Sequence, residues 1–517
     1  MRFLAAGDDG LLVELAGLGP ALALYDHMLT DPPAGLVEAV PAARTILLRF
    51  DRLATSAAQL ADHVQTLDLT PGPRRSGQVF DIPVTYDGED LGWVADHLGW
   101  TVEQLIARHT QAEFTVAFTG FAPGFAYMTC SDPAFDIPRR STPRVRIPAG
   151  SVALAGRFGG IYPTDSPGGW QLLGRTDVPM WDLSRPRPAL LAPGDRVRFH
   201  VATSSPRALP RKPVAQATGA PGVTITRTDR PVLVQDLGRP AQAAQGVARS
   251  GALDRAALRR VNRLLGNPPG EPALEVTFGG LSLRADAPVT LALTGAPCGM
   301  VLHPADGGAA IPIVANQPFA MDAGDRLDIS APTDGMIGYL GVRGGIAVER
   351  TLGSAARDIL AQIGSDPILS DARLMLSDNL AGPVTTEAVA TLPRAGEIVT
   401  LDITLGPRDD WFTPEGIRRL TDQDWLVTPE VSRTGKRLSA PQPLERRDTA
   451  ELASEPTVPG AIQVPHNGQP VLFLADHPLT GGYPVIACVA AHHLDLAAQA
   501  PPGARLRFHV ITPKGPT

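Results

Sequence analysis

The chain has 517 residues, of which 53 are acidic and 46 basic, and its formal net charge is −7 at pH 7. This length is several times the ~100–200 residues of a typical domain, which predicts two or more domains. An acidic balance without a lysine- or arginine-rich run argues against a nucleic-acid or anionic membrane surface. No stretch approaches the ~20 apolar residues of a membrane span. Three widely spaced cysteines indicate a reduced, cytoplasmic protein.

The composition favours β structure. The chain holds 52 glycines and 51 prolines, and many short Val/Ile/Leu runs are bounded by turns. We expect a mainly β protein with an α+β N-terminal region. A small α/β domain is predicted over 1–75 and a β-rich unit over 76–202. A Pro/Ala-rich linker over 203–222 leads to a second β-rich part over 223–517.

Two local signals stand out in the first part. Thr101 begins the helix TVEQLIARHT, because Thr101 and Gln104 form a capping-box pattern. Further on, the stretch FTGFAPGFAYM places proline and glycine at the centre of Ala122–Phe125, which predicts a type II turn. The turn either pins two aromatic rings into the core or brings backbone N–H groups to the edge of a pocket. On the pocket interpretation, we expect Gly124→Val to abolish activity and leave the fold largely intact.

The second part contains one clear helix and several strands. Asp254 to Leu265 carries apolar residues on one face, which predicts an amphipathic helix. VTLALTGA, Val289–Ala296, predicts a strand. AIQVP and VLFLAD flank Asn467-Gly468 and predict a hairpin.

Several segments of the two parts repeat in the same order. PGDRVRFHV (193–201) and PGARLRFHV (502–510) close the two parts, and SPGGWQLLG (166–174) and LTGGYPVIA (479–487) precede them. PAGSVALA and PGAIQV form a third pair further upstream. These echoes predict a duplicated β module. A weaker echo, AGDRLDIS over 323–330, suggests that the second part holds two such units.

Long ordered motifs carry a family resemblance. The first part contains MRFLAAGDDGLLVEL, VPAARTILLRFD, RHTQAEFTVAFTGFAPGFAYM, TPRVRIPAGSVALAG and YPTDSPGGWQLLGRT, and it closely resembles the B-type subunit of bacterial ATP-dependent 5-oxoprolinase, which is related to the Kip kinase inhibitor. The second part contains VQDLGRP, GVARSGALD, VNRLLGNPPGEPALE, GPRDDWF, VPGAIQVPHNGQP and TGGYPVIA, and it resembles the C-type subunit of that enzyme, a biotin-dependent carboxyltransferase-like protein. The chain is therefore interpreted as a B–C fusion.

The resemblance implies a fold and a reaction. It implies duplicated cyclophilin-like β-barrel modules and the ATP-dependent hydrolysis of 5-oxoproline to glutamate, with ADP and phosphate as further products. ATP, with Mg²⁺, is the implied cofactor, and a separate A-type subunit is the implied partner. No metal ligands and no covalently attached biotin are expected on this chain, which lacks a Met-Lys-Met sequence. A homo-oligomer is left open.

The reaction's carboxylate, polyphosphate and oxyanion call for guanidinium groups and preorganised N–H donors. The catalytic candidates are His109, Arg144, Asp236 and Asp254. The candidates for binding substrate or nucleotide are Gly120, Phe121, Pro123, Gly124, Phe125, Gly168, Gly169, Trp170, Arg239, Arg433, Gln463, Gly481, Gly482 and Tyr483. Structural roles compete with these assignments: a surface ion pair for Arg144, a helix C-cap for His109, turn or helix caps for both aspartates, and core packing for Tyr483.

Four segments of the second part depart from the pattern of the C-type subunits, at TGAPCGM, GSAARD, IGSDPILSDAR and SRTGKRL. Two other functions therefore stay open. One is a carboxyltransferase-like unit of urea-amidolyase type, and the other is a Kip-type binding protein that inhibits a histidine kinase.

Overall fold

The computed structural model describes residues 1–70, 77–202, 222–387, 391–450 and 452–511. Of the predicted linker over 203–222, only Gly222 lies within the described residues. Seven α-helices occur in these ranges: α1 (Leu18–Thr30), α2 (Ala57–Gln65), α3 (Leu91–Leu98), α4 (Val102–Gln111), α5 (Arg255–Leu265), α6 (Pro414–Asp422) and α7 (Leu494–Gln499). Short 3₁₀ helices occur at Pro133–Phe135, Ala243–Gln245, Asp409–Trp411 and Ala491–His493.

The N-terminal domain is a four-stranded antiparallel sheet covered by two helices. Its strands are β1 (Arg2–Ala5), β2 (Gly10–Glu14), β3 (Leu36–Pro41) and β4 (Thr45–Phe50). They lie in the order β1-β2-β4-β3. Leu24 of α1 and Leu60 of α2 pack with Ile46 and Leu48 of β4 in its core. The opposite face of the same sheet is also apolar, and its side chains pack against the second part of the chain.

The first barrel follows in the chain. Its strands, with the short ribbon β8–β11, are β5 (Val79–Val84), β6 (Glu113–Thr119), β7 (Ala126–Cys130), β8 (Arg144–Ile147), β9 (Ser151–Ala155), β10 (Phe158–Ile161), β11 (Ser166–Gly168), β12 (Gln171–Arg175) and β13 (Arg196–Val201). The sheet order is β12-β9-β10-β7-β6-β13-β5, and a bridge between Thr85 and Arg175 brings its two edges together. Helices α3 and α4 contribute Val94 and Leu105 to its core.

The middle region packs two sheets face to face. Its strands are β14 (Gly222–Thr228), β15 (Leu233–Gln235), β16 (Ala273–Thr277), β17 (Leu281–Ala285), β18 (Val289–Gly295), β19 (Cys298–His303), β20 (Ile311–Ile313), β21 (Phe319–Met321), β22 (Arg326–Pro332), β23 (Ile337–Val342) and β24 (Arg373–Met375). The sheets run β20-β19-β22-β17-β14-β24 and β15-β16-β23-β18-β21. Helix α5 packs Val261 and Leu258 near Tyr339 of the second sheet.

The final barrel is closed. Its strands, with the small ribbon β28–β31, are β25 (Ile398–Leu405), β26 (Trp425–Val431), β27 (Gly435–Ser439), β28 (Glu455–Pro456), β29 (Ala461–Gln463), β30 (Val471–Phe473), β31 (Thr480–Gly481), β32 (Val485–Val489) and β33 (Arg505–Val510). The order is β25-β32-β29-β30-β27-β26-β33, with β25 parallel to β33. Trp425 is fully buried inside.

The two barrels share one topology. In the first, β13 runs parallel to β5, just as β33 runs parallel to β25 in the final barrel. Each remaining strand of one sheet has its counterpart in the other, in the same order. The duplicated mainly β module is therefore confirmed. The weaker third echo differs, because its strand β22 pairs antiparallel with both β17 and β19.

Local sequence signals are confirmed as well. Thr101 and Gln104 form both hydrogen bonds of the capping box at α4. Asp254 is the N-cap of α5, where it accepts from the Ala257 N–H. Strands β29 and β30 form the hairpin predicted around Asn467-Gly468.

The N-terminal domain packs against the final barrel. Leu12 and Leu47 of its sheet contact Phe473 and Val485 in one apolar cluster. Beside the cluster, the Arg408 guanidinium forms ion pairs with Glu14 and Glu455, and all three side chains are buried. The first and second parts of the chain thus contact each other through apolar packing and buried ion pairs. None of the described helices has the length and apolar character needed to cross a membrane.

Candidate functional site

A cavity of about 290 Å³ lies where the N-terminal domain meets the second part of the chain, and we call it the interdomain cavity. The N-terminal domain contributes Gly7, Asp8, Asp9, Glu38, Val40, Leu47 and Arg49 to its wall. The second part contributes residues within 248–259, 457–479 and 489–495. Leu47, Leu253 and Phe473 give it an apolar side. A mixed apolar and charged lining of this volume is typical of a small-ligand site.

Three arginines of the second part face this cavity: Arg249, Arg255 and Arg259. Arg255 and Arg259 lie one turn apart on α5, so their side chains share a helix face. Burial, followed by the positive charges of Arg249 and Arg259, lowers the pKa of Arg255 to about 10. The arginines therefore destabilise one another's charge.

The acids of the cavity wall already have partners. Asp9 pairs with Arg49, and Asp8 accepts from the Ala491 N–H and pairs with Arg52. Glu38 accepts from the Ala243 N–H, and burial raises the pKa of this carboxyl. Asp495 accepts from the first two N–H groups of α5. Within the described ranges, Arg249, Arg255 and Arg259 form no ion pair with a carboxylate.

A tight backbone arrangement presents Arg249. Ser250 has φ 53 and Gly251 has φ 91, so the chain turns sharply directly after Arg249. The Arg239 N–H donates to the Arg249 carbonyl at 2.8 Å. An ideal Cβ on Gly238 would lie 2.5 Å from that carbonyl oxygen, so the two loops approach too closely for a side chain.

A buried ion-pair network supports this turn from behind. The Arg433 guanidinium donates to the Gly251 carbonyl at 2.6 Å and pairs with Asp476 and Glu275. Asp476 also accepts from the Ser250 hydroxyl. The positive charge of the neighbouring Arg433 guanidinium is therefore paired with groups of the protein itself. Its role here is to position the loop that carries Arg249.

Two family models match separate parts of the chain. A model of the carboxyltransferase domain, subdomains A and B, matches residues 245–510, which is more than half of the chain. The model of subdomains C and D matches residues 1–191.

The chain belongs to the carboxyltransferase-domain family.

Its two halves match different relatives. The second half is 35% identical to the C-type subunit of 5-oxoprolinase from Escherichia coli K12 over 287 residues, which is 55% of this chain and 89% of that protein. The first half is 37% identical to the B-type subunit of 5-oxoprolinase from Escherichia coli O157:H7 over 175 residues, 33% of this chain and 80% of that protein. The crystal structure of TTHA0988 matches 97% of this chain and 99% of its own, with 35% identity and a TM-score of 0.84. This carboxyltransferase-domain protein therefore joins a B-like half to a C-like half.

Asp236 and Asp254 lie beside the cavity loops of this carboxyltransferase-domain protein rather than in the cavity wall. Asp236 accepts from the Ser354 hydroxyl at 2.6 Å and from the Ala355 N–H at 2.8 Å. Asp254 caps α5 and accepts from the Gln499 amide at 2.8 Å. Burial raises the pKa of Asp254 to about 6. These contacts are those of positioning residues, and a catalytic role for either aspartate stays a prediction.

Arg239 is almost completely buried, with 1% of its surface exposed. One of its terminal nitrogens donates to the Ala356 carbonyl, whereas Nε and the other terminal nitrogen have no partner among the described residues. Burial lowers the pKa of Arg239, and the nearby carboxylates of Asp358 and Asp236 oppose this effect. Arg239 is not part of the cavity wall.

The FTGFAPGFAYM stretch forms the predicted type II turn. Gly124 has φ 76, and the Phe125 N–H donates to the Ala122 carbonyl at 2.9 Å. Phe121 also has a positive φ of 64, in a γ-turn closed by the Ala122 N–H and the Gly120 carbonyl at 2.7 Å. Phe125 packs edge-on against Trp170 in an aromatic core.

This turn lies at the interface between the two halves, and its expected place at the edge of a ligand pocket stays a prediction. The Gly124 N–H donates to the Gln245 carbonyl at 3.0 Å, so it joins the halves instead of facing a ligand. Phe121 and Pro123 border a small gap that shares His477 and Leu479 with the interdomain cavity. The turn therefore lies next to the interdomain cavity without forming part of its wall.

The candidates around Gly481 lie in the second half, where the neighbouring Thr480 approaches the first half. An ideal Cβ on Gly120 would lie 2.8 Å from the Thr480 hydroxyl. Gly481 pairs with Glu455 in the small ribbon, and the Gln463 amide donates to the Tyr483 carbonyl at 3.0 Å. Gly482 follows in the same loop, and 39% of the Tyr483 surface is exposed. None of these second-half candidates forms part of the cavity wall.

Arg144 and its neighbours lie away from the cavity. The Arg144 guanidinium donates to Asp90 at 2.9 Å and to the exposed carboxylate of Glu89 at 3.0 Å. Gly168 pairs with Arg144 in the short ribbon. Gly169 accepts from the Arg140 N–H, and Trp170 belongs to the aromatic core. Arg144 thus has the ion-pair environment that was the structural alternative.

His109 lies in the core of the first barrel. Only 1% of its surface is exposed, and its ring stacks on Phe199. Nδ1 lies 2.7 Å from the Tyr86 hydroxyl. Burial lowers the pKa of His109 to about 3, so the imidazole is neutral at pH 7. These surroundings favour a packing role, and acid–base catalysis by His109 stays a prediction that they do not support.

The three cavity arginines were not among the residues predicted from the sequence. The segment RSGALDRAALRR, 249–260, contains four arginines within twelve residues, and this local density was the available signal. The i, i+4 spacing of Arg255 and Arg259 on a predicted helix was a second signal. The net charge of the whole chain is negative, so the overall composition gave no indication of this local cluster of arginines.

One group of potential metal ligands occurs among the described residues, at Asp402, His492 and His493. It lies outside the interdomain cavity. His493 Nδ1 accepts from the Asp402 N–H at 2.8 Å, and the Asp402 carboxylate lies 2.9 Å from both His492 and His509. These contacts already satisfy the groups without a cation.

Proposed function

We propose that this protein is the fused B–C component of an ATP-dependent 5-oxoprolinase. The observation that carries the proposal is that one chain matches the B-type subunit of 5-oxoprolinase over its first half and the C-type subunit over its second. Each match covers most of the respective relative. The protein would act with a separate A-type subunit on 5-oxoproline, ATP and water to give glutamate, ADP and phosphate.

The chemistry of the interdomain cavity supports this proposal. An unstrained lactam is a poor electrophile and water a poor nucleophile at neutral pH, so activation by ATP would give the amide carbon a leaving group. Both the acid substrate and the nucleotide are anions, and guanidinium groups are the side chains best suited to bind carboxylates and phosphates. Arg249, Arg255 and Arg259 would supply these groups. Mg²⁺ would enter with the nucleotide, because the acids of the cavity wall are already engaged.

The proposal is tested by reconstitution. Purified chain is incubated with 5-oxoproline, ATP and Mg²⁺, with and without the A-type subunit of a 5-oxoprolinase, and glutamate and ADP are measured. We expect equimolar glutamate and ADP only when both components are present. An A-type subunit of proven competence that yields no glutamate with this chain would overturn the proposal.

A carboxyltransferase function is the second candidate, since both matching family models describe carboxyltransferase subdomains. Transfer would require a biotin-bearing partner, because the chain contains no Met-Lys-Met sequence. Carboxylation of urea by the chain with a carboxybiotin donor, in place of glutamate release, would favour this alternative.

A further inference from the structure

The arginines in the wall of the interdomain cavity do not all form ion pairs with its carboxylates. The four acids in its wall each accept hydrogen bonds or ion pairs from other groups. Arg255 donates to the Leu237 carbonyl, yet its buried Nε has no partner among the described residues. Nε of Arg49 is likewise buried and unpartnered there.

Arg249 and Arg259 have still fewer contacts. Both are exposed, and both belong to the cavity wall. For neither side chain does the structure contain a hydrogen bond or an ion pair with a described residue. Three guanidinium groups therefore line one space, and none of them forms a direct ion pair with a carboxylate of the described part of the chain, although Asp9, Glu38 and Asp495 lie in the same wall.

We propose that the interdomain cavity binds a phosphoryl-bearing anion through Arg249, Arg255 and Arg259. The inference rests on the proposed function, because it specifies which of that reaction's groups the cavity receives. Three guanidinium groups exceed what one carboxylate needs, whereas a phosphoryl group offers several charged oxygens to hydrogen-bond donors at once. The α5 N-terminus adds a positive potential, although Asp254 and Asp495 already occupy its N–H groups.

The volume limits the ligand. At about 290 Å³ the cavity lies just below the ~300–1,000 Å³ range of small-molecule pockets. Two sources share the phosphoryl chemistry: the phosphate chain of a nucleotide, and a small phosphorylated acid. The apolar side formed by Leu47, Leu253 and Phe473 would contact the remainder of either ligand.

The test is a binding measurement on the complete chain. Tripolyphosphate, adenylyl imidodiphosphate with Mg²⁺, phosphonoacetate and 5-oxoproline are titrated separately by isothermal calorimetry. We expect tripolyphosphate to bind, and Arg249→Gln and Arg259→Gln each to weaken its binding about tenfold or more. Preference for the nucleotide analogue or for phosphonoacetate then identifies the source of the phosphoryl group.

Arg263→Gln is the matched control. Arg263 lies one turn beyond Arg259 on the same helix and pairs with Glu387 outside the cavity. This variant should bind tripolyphosphate like the unchanged protein. Thermal unfolding of each variant shows whether the fold is retained, and we expect it to be, since Arg249 and Arg259 form no side-chain hydrogen bonds with the described residues.

Three results would overturn the proposal: no phosphoryl-bearing probe binds, the arginine variants bind as tightly as the unchanged chain, or only 5-oxoproline binding depends on the arginines. Failure here is separable from failure of the proposed function. Glutamate release with the A-type subunit, measured alongside, can persist when phosphoryl binding is absent. Conversely, binding can persist without turnover.

Discussion

His109 and His477 are buried imidazoles, one in each half of the chain. Burial lowers the pKa of His109 to about 3 and that of His477 to about 4. In the unfolded chain both would titrate near 6.5. The unfolded state therefore binds more protons between those values, and stability is lost as the pH falls below about 6.5.

A pH profile of unfolding measures this effect. We expect the free energy of unfolding to fall as the pH drops from 6.5 to 4, and His109→Gln to reduce that slope by up to about 1.4 kcal/mol per pH unit. Glutamine keeps a hydrogen-bonding group beside Tyr86. His200→Gln, at an exposed position of the same barrel, is the control. An unchanged slope in His109→Gln would show that the imidazole charges within the folded barrel.

Gly124→Val is expected to destabilise the protein. The backbone has φ 76, and an ideal Cβ would lie 2.8 Å from the Met180 carbonyl oxygen. We predict a loss of at least ~1–3 kcal/mol from the backbone conformation alone, measured by denaturant unfolding. The sequence favoured loss of activity in an intact fold, whereas the structure predicts a destabilised first half because the added side chain would clash with Met180.

Gly99→Val provides the comparison for that substitution. Gly99 has φ 67, but no atom outside its immediate neighbours lies within 4 Å of its ideal Cβ position. Both glycines have positive φ, so the difference in stability loss between Gly124→Val and Gly99→Val measures the contribution of the steric clash. Equal stability losses would contradict the steric clash expected between the Gly124 position and Met180.

At the scale of elements, α5 is the element that presents Arg255 and Arg259. Its orientation depends on Asp254, which accepts from the Ala257 N–H at 2.8 Å. We expect Asp254→Ala to lower the free energy of unfolding by ~0.5–2 kcal/mol and to weaken tripolyphosphate binding as well. Asp254→Asn keeps an N-cap acceptor and should lie closer to the unchanged protein. Equal effects of both substitutions would argue for a direct role of the carboxylate.

At the scale of the whole molecule, Arg408 couples the N-terminal domain to the final barrel. Its side chain is 2% exposed, and it bridges Glu14 and Glu455, whose side chains are 8% and 7% exposed. Removing this cation leaves the buried Glu455 carboxylate without its ion-pair partner, whereas Glu14 keeps its ion pairs with Arg2 and Arg44. We expect Arg408→Met to destabilise the protein by ~3–5 kcal/mol in equilibrium unfolding.

A second substitution tests this interpretation. Adding Glu455→Gln to Arg408→Met removes the carboxylate charge that has lost its partner, so it should recover part of the lost stability. If the double variant is less stable than the single one, burial of unpaired charge is not the cause. A cofactor or substrate is not needed for this experiment.

Sequence patterns predicted the elements better than the site. The capping box at Thr101, the helix begun by Asp254 and the repeated barrel strands depend on residues close together in the chain or on an internal repeat. The interdomain cavity depends on contacts such as that of Asp8 with Ala491, which are separated by 483 positions. Arginine is a residue type that often binds anionic ligands, yet Arg433 forms ion pairs with Glu275 and Asp476. These partners are far from Arg433 in the sequence, so no local sequence pattern could predict them.

The most direct test is glutamate release from 5-oxoproline by this chain and a competent A-type subunit, compared among the unchanged protein, Arg259→Gln and Arg263→Gln. We predict ATP-dependent turnover by the unchanged chain, a reduction of about tenfold or more in Arg259→Gln, and no reduction in Arg263→Gln. Absence of turnover by the unchanged chain would contradict the proposed function. Full turnover by Arg259→Gln would contradict the assignment of the interdomain cavity.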